Sequence, residues 1–253
     1  MRKLTLAAIV AAAVVVPGAL SSSVQAQQAA PAVEPRAMQL LDAMSRRLAE
    51  AKTLSFNARA VYDVPTADKT PIFLTTESSV SFRRPASLRV VTSGDGPASV
   101  FIADGTRMSR FDPAAGTLAS KAAPQALDAL VRAAGEHGID LPFADVLLDK
   151  PFGDLSKGVT AAFVVGQSRL VGGTRTNIVS VSDATGHMQI WIGADDNLPR
   201  QLIVSESRGG QTTRNMVTYS NWALNRPIGD GVFSAATYGK AKQAELKPVT
   251  PVE

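Results

Sequence analysis

The sequence predicts an α+β protein: one strongly curved antiparallel sheet of about eleven strands, one N-terminal helix and a short helical insertion. Three observations lead there. Short runs of alternating apolar and polar residues follow one another from Leu54 to Trp222, and alternation is the signature of a half-buried strand. Tight-turn residues such as Asp104-Gly105 and Gly172-Gly173 separate them, so consecutive strands pair as a meander. The period changes to that of a helix only near Ala37–Lys52 and Leu127–Leu148.

The N-terminus reads as an export signal. Arg2 and Lys3 precede an uncharged apolar run, Leu4–Val16, then Pro17, Gly18 and a Ser-rich stretch. Val24-Gln25-Ala26 offers compact residues at the −3 and −1 positions, so cleavage is expected after Ala26. The apolar run is too short for a comfortable membrane span, and no later segment is long and apolar enough for one. With no cysteine, the chain has no lipid-attachment thiol, disulfide or thiolate metal site. The expected product is a soluble exported protein, periplasmic where the host has two membranes.

Loss of Arg2 and Lys3 removes two of 26 basic residues and none of the 22 acidic ones, leaving a net charge of about +2. Arg83, Arg84 and Arg89 cluster, yet no basic stripe interleaved with aromatics points to nucleic acid. The expected layout is a signal peptide over 1–26, a flexible leader over 27–36, one domain over 37–239 and a flexible tail over 240–253.

Within the domain, Ala37, Leu40, Leu41, Met44, Leu48 and Ala51 fall on one stripe, with Asp42, Arg46 and Glu50 opposite: a helix packed on a sheet. Strands are expected at Leu54–Val64, Ile72–Arg84, Leu88–Thr92, Ser99–Ala103, Thr106–Asp112 and Leu118–Lys121. Asp-Gly at 104–105 supplies the positive φ of a tight hairpin. Leu127, Leu130, Val131 and Ala134 then give a helix that Gly135 and Gly138 stop, and Pro142 opens a second short helix bearing Phe143, Val146 and Leu147. Two helices this short build no core of their own and are expected to cover one. Strands resume at Val159–Leu170, Thr176–Ser182, His187–Ile192, Arg200–Ser207 and Thr212–Trp222.

The catalytic inventory is thin. There is no G-x-S-x-G elbow, Gly-rich phosphate loop or H-E-x-x-H. His137 and His187 lack spaced partners and read as solvated surface residues. Asp145 and Asp149, four apart, read as a solvated helix face, and Asp104 and Asp112 as turn residues. No enzyme activity, cofactor or metal is expected.

What remains is an apolar face offered by Val80, Phe82, Leu88, Val90, Phe101, Met108 and Phe111, with Trp191, and with Leu130 and Phe143 of the insertion. Any half-buried sheet shows such alternation, so a filled core and a lined cavity both fit. Arg84 is the exception: it shares the parity of Val80 and Phe82, which points a cation onto that face. In a dry core it would need a carboxylate, because an unpaired buried charge costs several kcal/mol.

Two motif blocks carry a resemblance. F-R-R-P-x-x-L-R-V at Phe82–Val90 and F-I-A-D-G-x-x-M-x-x-F-D-P at Phe101–Pro113 resemble the core of the periplasmic lipoprotein carrier LolA and its relatives. The order through I-D-L-P-F-A-D-V-L-L and W-I-G-x-x-x-x-L-P-R-Q-L is closer still to a family of predicted periplasmic proteins of unknown function within that superfamily. The similarity runs from about Met38 to Phe233. It implies an unclosed half-barrel around a hydrophobic cavity with helices as a lid. In the carrier, the arginine before the proline faces the cavity and helps hold the lid, and Arg84 matches it. Leu88 stands where the carrier has a cavity aromatic. The expectation is a soluble periplasmic carrier of a hydrophobic or amphiphilic ligand such as a lipid or lipoprotein acyl chain. The alternative is an envelope sensor or interaction module with a protein partner. Nucleic-acid binding and integral membrane insertion are not expected.

Overall fold

The structure is a computed structural model that describes residues 33–65, 70–152, 158–184, 186–208 and 211–248. The expected signal peptide and most of the leader lie outside the described residues.

Helix α1 (Pro35–Ala49) opens with proline at its first position, where a missing N–H costs nothing, and buries Ala37, Leu40, Leu41, Met44 and Leu48. It therefore starts inside the segment expected as leader and stops short of Lys52. Six strands follow as a meander: β1 (Thr53–Pro65), β2 (Pro71–Arg83), β3 (Ser87–Gly94), β4 (Ser99–Asp104), β5 (Arg107–Asp112) and β6 (Thr117–Ala122). The insertion holds α2 (Leu127–Glu136) and a 3₁₀ turn, Ala144–Val146. That turn replaces the second helix expected after Pro142; three residues satisfy too few of their own backbone groups to extend it. A second meander comprises β7 (Ala161–Ser168), β8 (Thr176–Ser182), β9 (Gly186–Gly193), β10 (Pro199–Arg208) and β11 (Gln211–Leu224).

With a last short strand, β12 (Lys242–Ala244), the spatial order is β12-β6-β5-β4-β3-β2-β1-β11-β10-β9-β8-β7, a sheet not closed into a barrel. The two meanders join along β1 and β11, from Leu54 opposite Leu224 to Tyr62 opposite Asn215. This topology places the insertion. The chain leaves the sheet at β6, near one edge, and re-enters at β7, the other edge, so the insertion links opposite margins of the sheet.

The twelfth strand is a correction. β12 (Lys242–Ala244) lies in the segment expected as a flexible tail, yet it pairs with β6 in parallel, and Leu246 beyond it is buried. The described sheet is therefore mixed, with eleven antiparallel strands and one short parallel strand that covers an edge.

Register decides which residues share the face under the helices. Leu54, Phe56 and Ala58 of β1 line up with Phe82, Val80 and Ser78 of β2, and then with Leu88 and Val90 of β3. Phe101, Ala103 and Met108 continue the row through β4 and β5. Together with α1, α2, Phe143, Val146 and Leu147 they form one buried cluster. The β2–β3 hairpin contains a cis Arg84–Pro85 bond, and Arg84 lies just past the end of β2. Gly105 takes φ of +92° in the Asp-Gly turn, as that spacing predicted.

The outer face near β3–β6 is covered by the chain after β11. Arg83 bonds the Asp230 carboxylate at 2.7 Å and lies over Phe233, the Arg89 guanidinium donates to the Tyr238 hydroxyl at 3.0 Å, and Tyr238 stacks on Phe111.

Candidate functional site

The lid-covered face brings together nine of the eleven sequence-derived candidates. Val80, Phe82, Leu88, Val90, Phe101, Met108, Leu130 and Phe143 are all buried within the one cluster, and Arg84 stands at its rim. In this closed arrangement they pack against α1, α2 and the 3₁₀ turn. Phe111 and Trp191 are corrections. Phe111 pairs opposite Val100, on the face away from the lid, where it stacks on Tyr238 at 4.2 Å between centroids. Trp191 sits between the buried Ile190 and Ile192, so alternation turns it outward beside Ile178 and Gln201.

Arg84 fastens three elements. Its Nη1 donates to Asp149 Oδ1 at 2.6 Å and its Nε to the Ala51 carbonyl at 3.1 Å. Its Nη2 reaches the carbonyls of Leu48, Leu147 and Leu148 at 3.3–3.4 Å. The guanidinium also lies 5.3 Å from the Phe82 ring centroid, while the stem packs on the apolar wall. One planar group with five N–H donors thus ties the β2–β3 turn to the end of α1 and to the end of the lid. The Ser45 hydroxyl donates to the Pro151 carbonyl, and the Asp149 amide donates to Asp128 of α2, closing the same junction. Burial pulls the Arg84 pKa below its ordinary value, and the charges of Asp149 and Asp128 push back.

The partner that the sequence could not supply is Asp149, so its reading as part of a merely solvated helix face is corrected. The Arg84 side chain is 19% exposed and that of Asp149 60%, which makes this a half-solvated clasp rather than a buried ion pair.

His137 is also corrected. It is buried, with Nδ1 2.8 Å from the Ala133 carbonyl and Nε2 3.0 Å from Lys121 Nζ. A carbonyl only accepts, so Nδ1 carries the proton and Nε2 accepts from the ammonium. The pair fixes the end of α2 to β6. Asp104 and Asp112 are turn residues as read: Asp104 accepts from the amides of Thr106 and Arg107, and Asp112 from those of Ala114 and Ala115.

A second focus lies where the lid meets β1 and β11, and the sequence reading missed it. Phe143 of the lid packs edge-on against Phe56 at 5.7 Å, and Phe56 contacts Tyr219 at 5.9 Å and Trp222 at 4.4 Å. Asn221, at φ of +56°, inserts an irregularity that returns Trp222 to the face of Tyr219. Tyr219 is 1% exposed, and among the described residues its hydroxyl is the one buried side-chain polar atom without a hydrogen-bond partner. Burial, and then the charge of Asp145, raise its pKa far above the ordinary tyrosine value. Asp145 sits at the rim: enough of it reaches water to count as exposed, yet the protein around it and the charge of Glu206 hold its carboxyl above the usual range.

Two cavities lie away from these candidates. One of about 290 Å³ opens at the end of α2, among Val131, Gly135, Gly138 and Ile139–Leu141. The other, about 430 Å³, lies over the polar outer face at Asn57, Arg59, Glu77, Ser79 and Thr218. Among the described residues no cluster of His, Cys, Asp or Glu is placed to hold a metal ion, and no helix is long and apolar enough to cross a membrane.

Comparison with solved structures returns similar chains of low identity. LprF from Mycobacterium bovis is 16% identical, with 78% of this chain and 96% of that one covered and a TM-score of 0.48. A chain of the Pseudomonas aeruginosa MucA/MucB complex is 16% identical at a TM-score of 0.43, covering 79% of this chain. This chain spans 62% of that one's length. A LolA superfamily protein from Nitrosomonas europaea is 9% identical, with coverages of 79% and 98% and a TM-score of 0.35. No curated protein matches the chain. The family described as "Predicted periplasmic protein (DUF2092)" matches residues 37–247, nearly the whole of the domain just described. The chain belongs to that family of predicted periplasmic proteins.

Proposed function

We propose that this protein is a periplasmic binding or carrier protein that holds a hydrophobic or amphiphilic ligand between the curved sheet and the helical lid. The observation that carries the reading is the way the lid is fastened. The insertion buries Leu127, Leu130, Phe143, Val146 and Leu147 on an apolar sheet face, and its far end is held by the polar clasp of one arginine. An apolar interface of this kind tolerates parting when an acyl chain takes the place of the lid side chains, because buried apolar area is kept. The clasp is half-solvated, so its groups return to water when it opens. The arrangement thus combines an apolar interior with a polar fastening at its margin.

Protein purified from its own host and examined by native mass spectrometry and lipid extraction tests the reading. A co-purifying lipid or acylated species, or displacement of a fluorescent acyl probe, is expected. A mature protein free of lipid that leaves the probe undisplaced overturns it.

A further inference from the structure

Every nitrogen of the Arg84 guanidinium already has a partner among Ala51, Asp149 and the carbonyls of Leu48, Leu147 and Leu148. The unmet polar demand lies at the other focus. The Tyr219 hydroxyl is fully buried without a partner, among Phe56, Phe143 and Trp222. An orphaned buried hydroxyl makes the closed state less stable than it would be with the oxygen satisfied. A ligand group that reaches Tyr219 as the lid parts removes that penalty.

The surroundings decide which groups qualify. Asp145, on the 3₁₀ turn, acts on Tyr219 by its charge, and Glu206 acts on Asp145 in turn. Glu206 shares the parity of the inward Leu202 and Val204 on β10 and is half-buried. The phenol both donates and accepts, so by itself it suits either kind of head; a carboxylate only accepts and repels anions, so Asp145 makes the choice.

We propose that Tyr219, with Asp145 at the rim above it, seats the polar end of an amphiphile whose head group donates hydrogen bonds, an amine above all, and that the site disfavours anionic heads. This rests on the binding-protein reading and adds the chemistry of the head group and its place in the cavity.

The test uses two single-chain probes of equal length, dodecylamine and dodecanoate, below their micellar concentrations. Trp222, 5.7 Å from Tyr219, reports binding by its fluorescence once the outward Trp191 is replaced, Trp191→Phe. Dodecylamine is expected to bind about tenfold more tightly, the scale of one charge-assisted hydrogen bond. The whole chain is net positive, so non-specific attraction would favour dodecanoate instead. Asp145→Asn should collapse the preference. Tyr219→Phe removes only the orphaned oxygen, should hold or raise the melting temperature, and should weaken dodecylamine several-fold with a smaller effect on dodecanoate. Equal binding of the two probes, or a preference untouched by either variant, overturns the head-group assignment while the binding-protein reading stands. Failure of both probes to bind overturns that reading as well.

Discussion

Replacing Arg84 by leucine keeps most of the packing volume and removes every polar contact of the clasp. The Asp149 bond at 2.6 Å meets a carboxylate that is 60% exposed, so water reduces its net worth to about 0.5–1 kcal/mol. The Nε bond to Ala51 at 3.1 Å adds about 1–1.5 kcal/mol. The three carbonyl contacts of Nη2 at 3.3–3.4 Å are long and share two hydrogens, and together contribute about 1 kcal/mol. No stranded-charge penalty arises, because Asp149 is free to take water. The cost is therefore about 2.5–3.5 kcal/mol, below the upper end of a broken buried pair. It should fall on docking of the lid, where the contacts end, rather than on the strands. Native-state hydrogen exchange reads this directly. Amides of Leu130 and Leu147 should exchange roughly 50- to 300-fold faster, while those of Phe82, Phe101 and Ile190 hold their protection. Equal loss in lid and strands would show that Arg84 supports the whole sheet. Unchanged lid exchange would show that it fastens nothing.

Other perturbations test separate parts of the same account. Phe143→Ala deletes the lid's ring against Phe56 and should cost about 3–5 kcal/mol, read by denaturant unfolding or, where only the lid yields, by lid exchange alone. Burial raises the pKa of Asp140, and burial with the charge of Glu206 raises that of Asp145, so the native state holds these protons longer than the unfolded chain. Their contribution to stability is then greatest on the acid side of the ordinary carboxylate range and is lost as pH rises through the raised values. Asp140→Asn with Asp145→Asn should abolish that component of a melting-temperature profile, and an unaltered profile would refute it. Truncation after Gly239 removes β12 and Leu246 and bares the edge of β6, so self-association should increase in sedimentation.

The sheet was legible because strand alternation and turn residues are local signals, and the strands from Leu54 to Trp222 fall where those signals place them. The faces were legible too, though the alternation was not followed throughout. Met108 and Phe111 lie three apart on one strand and must face opposite ways, and Trp191 stands between two inward isoleucines. The clasp was half legible: parity points Arg84 at the lid, whereas Asp149 lies 65 residues on and no local pattern links them. Tyr219 left one trace, a hydroxyl inside a run with Val217, but its lack of a partner is a property of packing alone. The covering strand β12 was hidden because Lys242–Ala244 is too short and too exposed to alternate; its pairing comes from β6.

The insertion between β6 and β7 has a mechanical consequence. Its ends are rooted at opposite margins of one bent sheet, as a string is tied to the two tips of a bow. A lid tied at both margins can rise only as far as the chain between its two roots allows. Under the proposed function, deleting residues from this span should narrow the range of acyl-probe lengths that bind, and adding them should widen it.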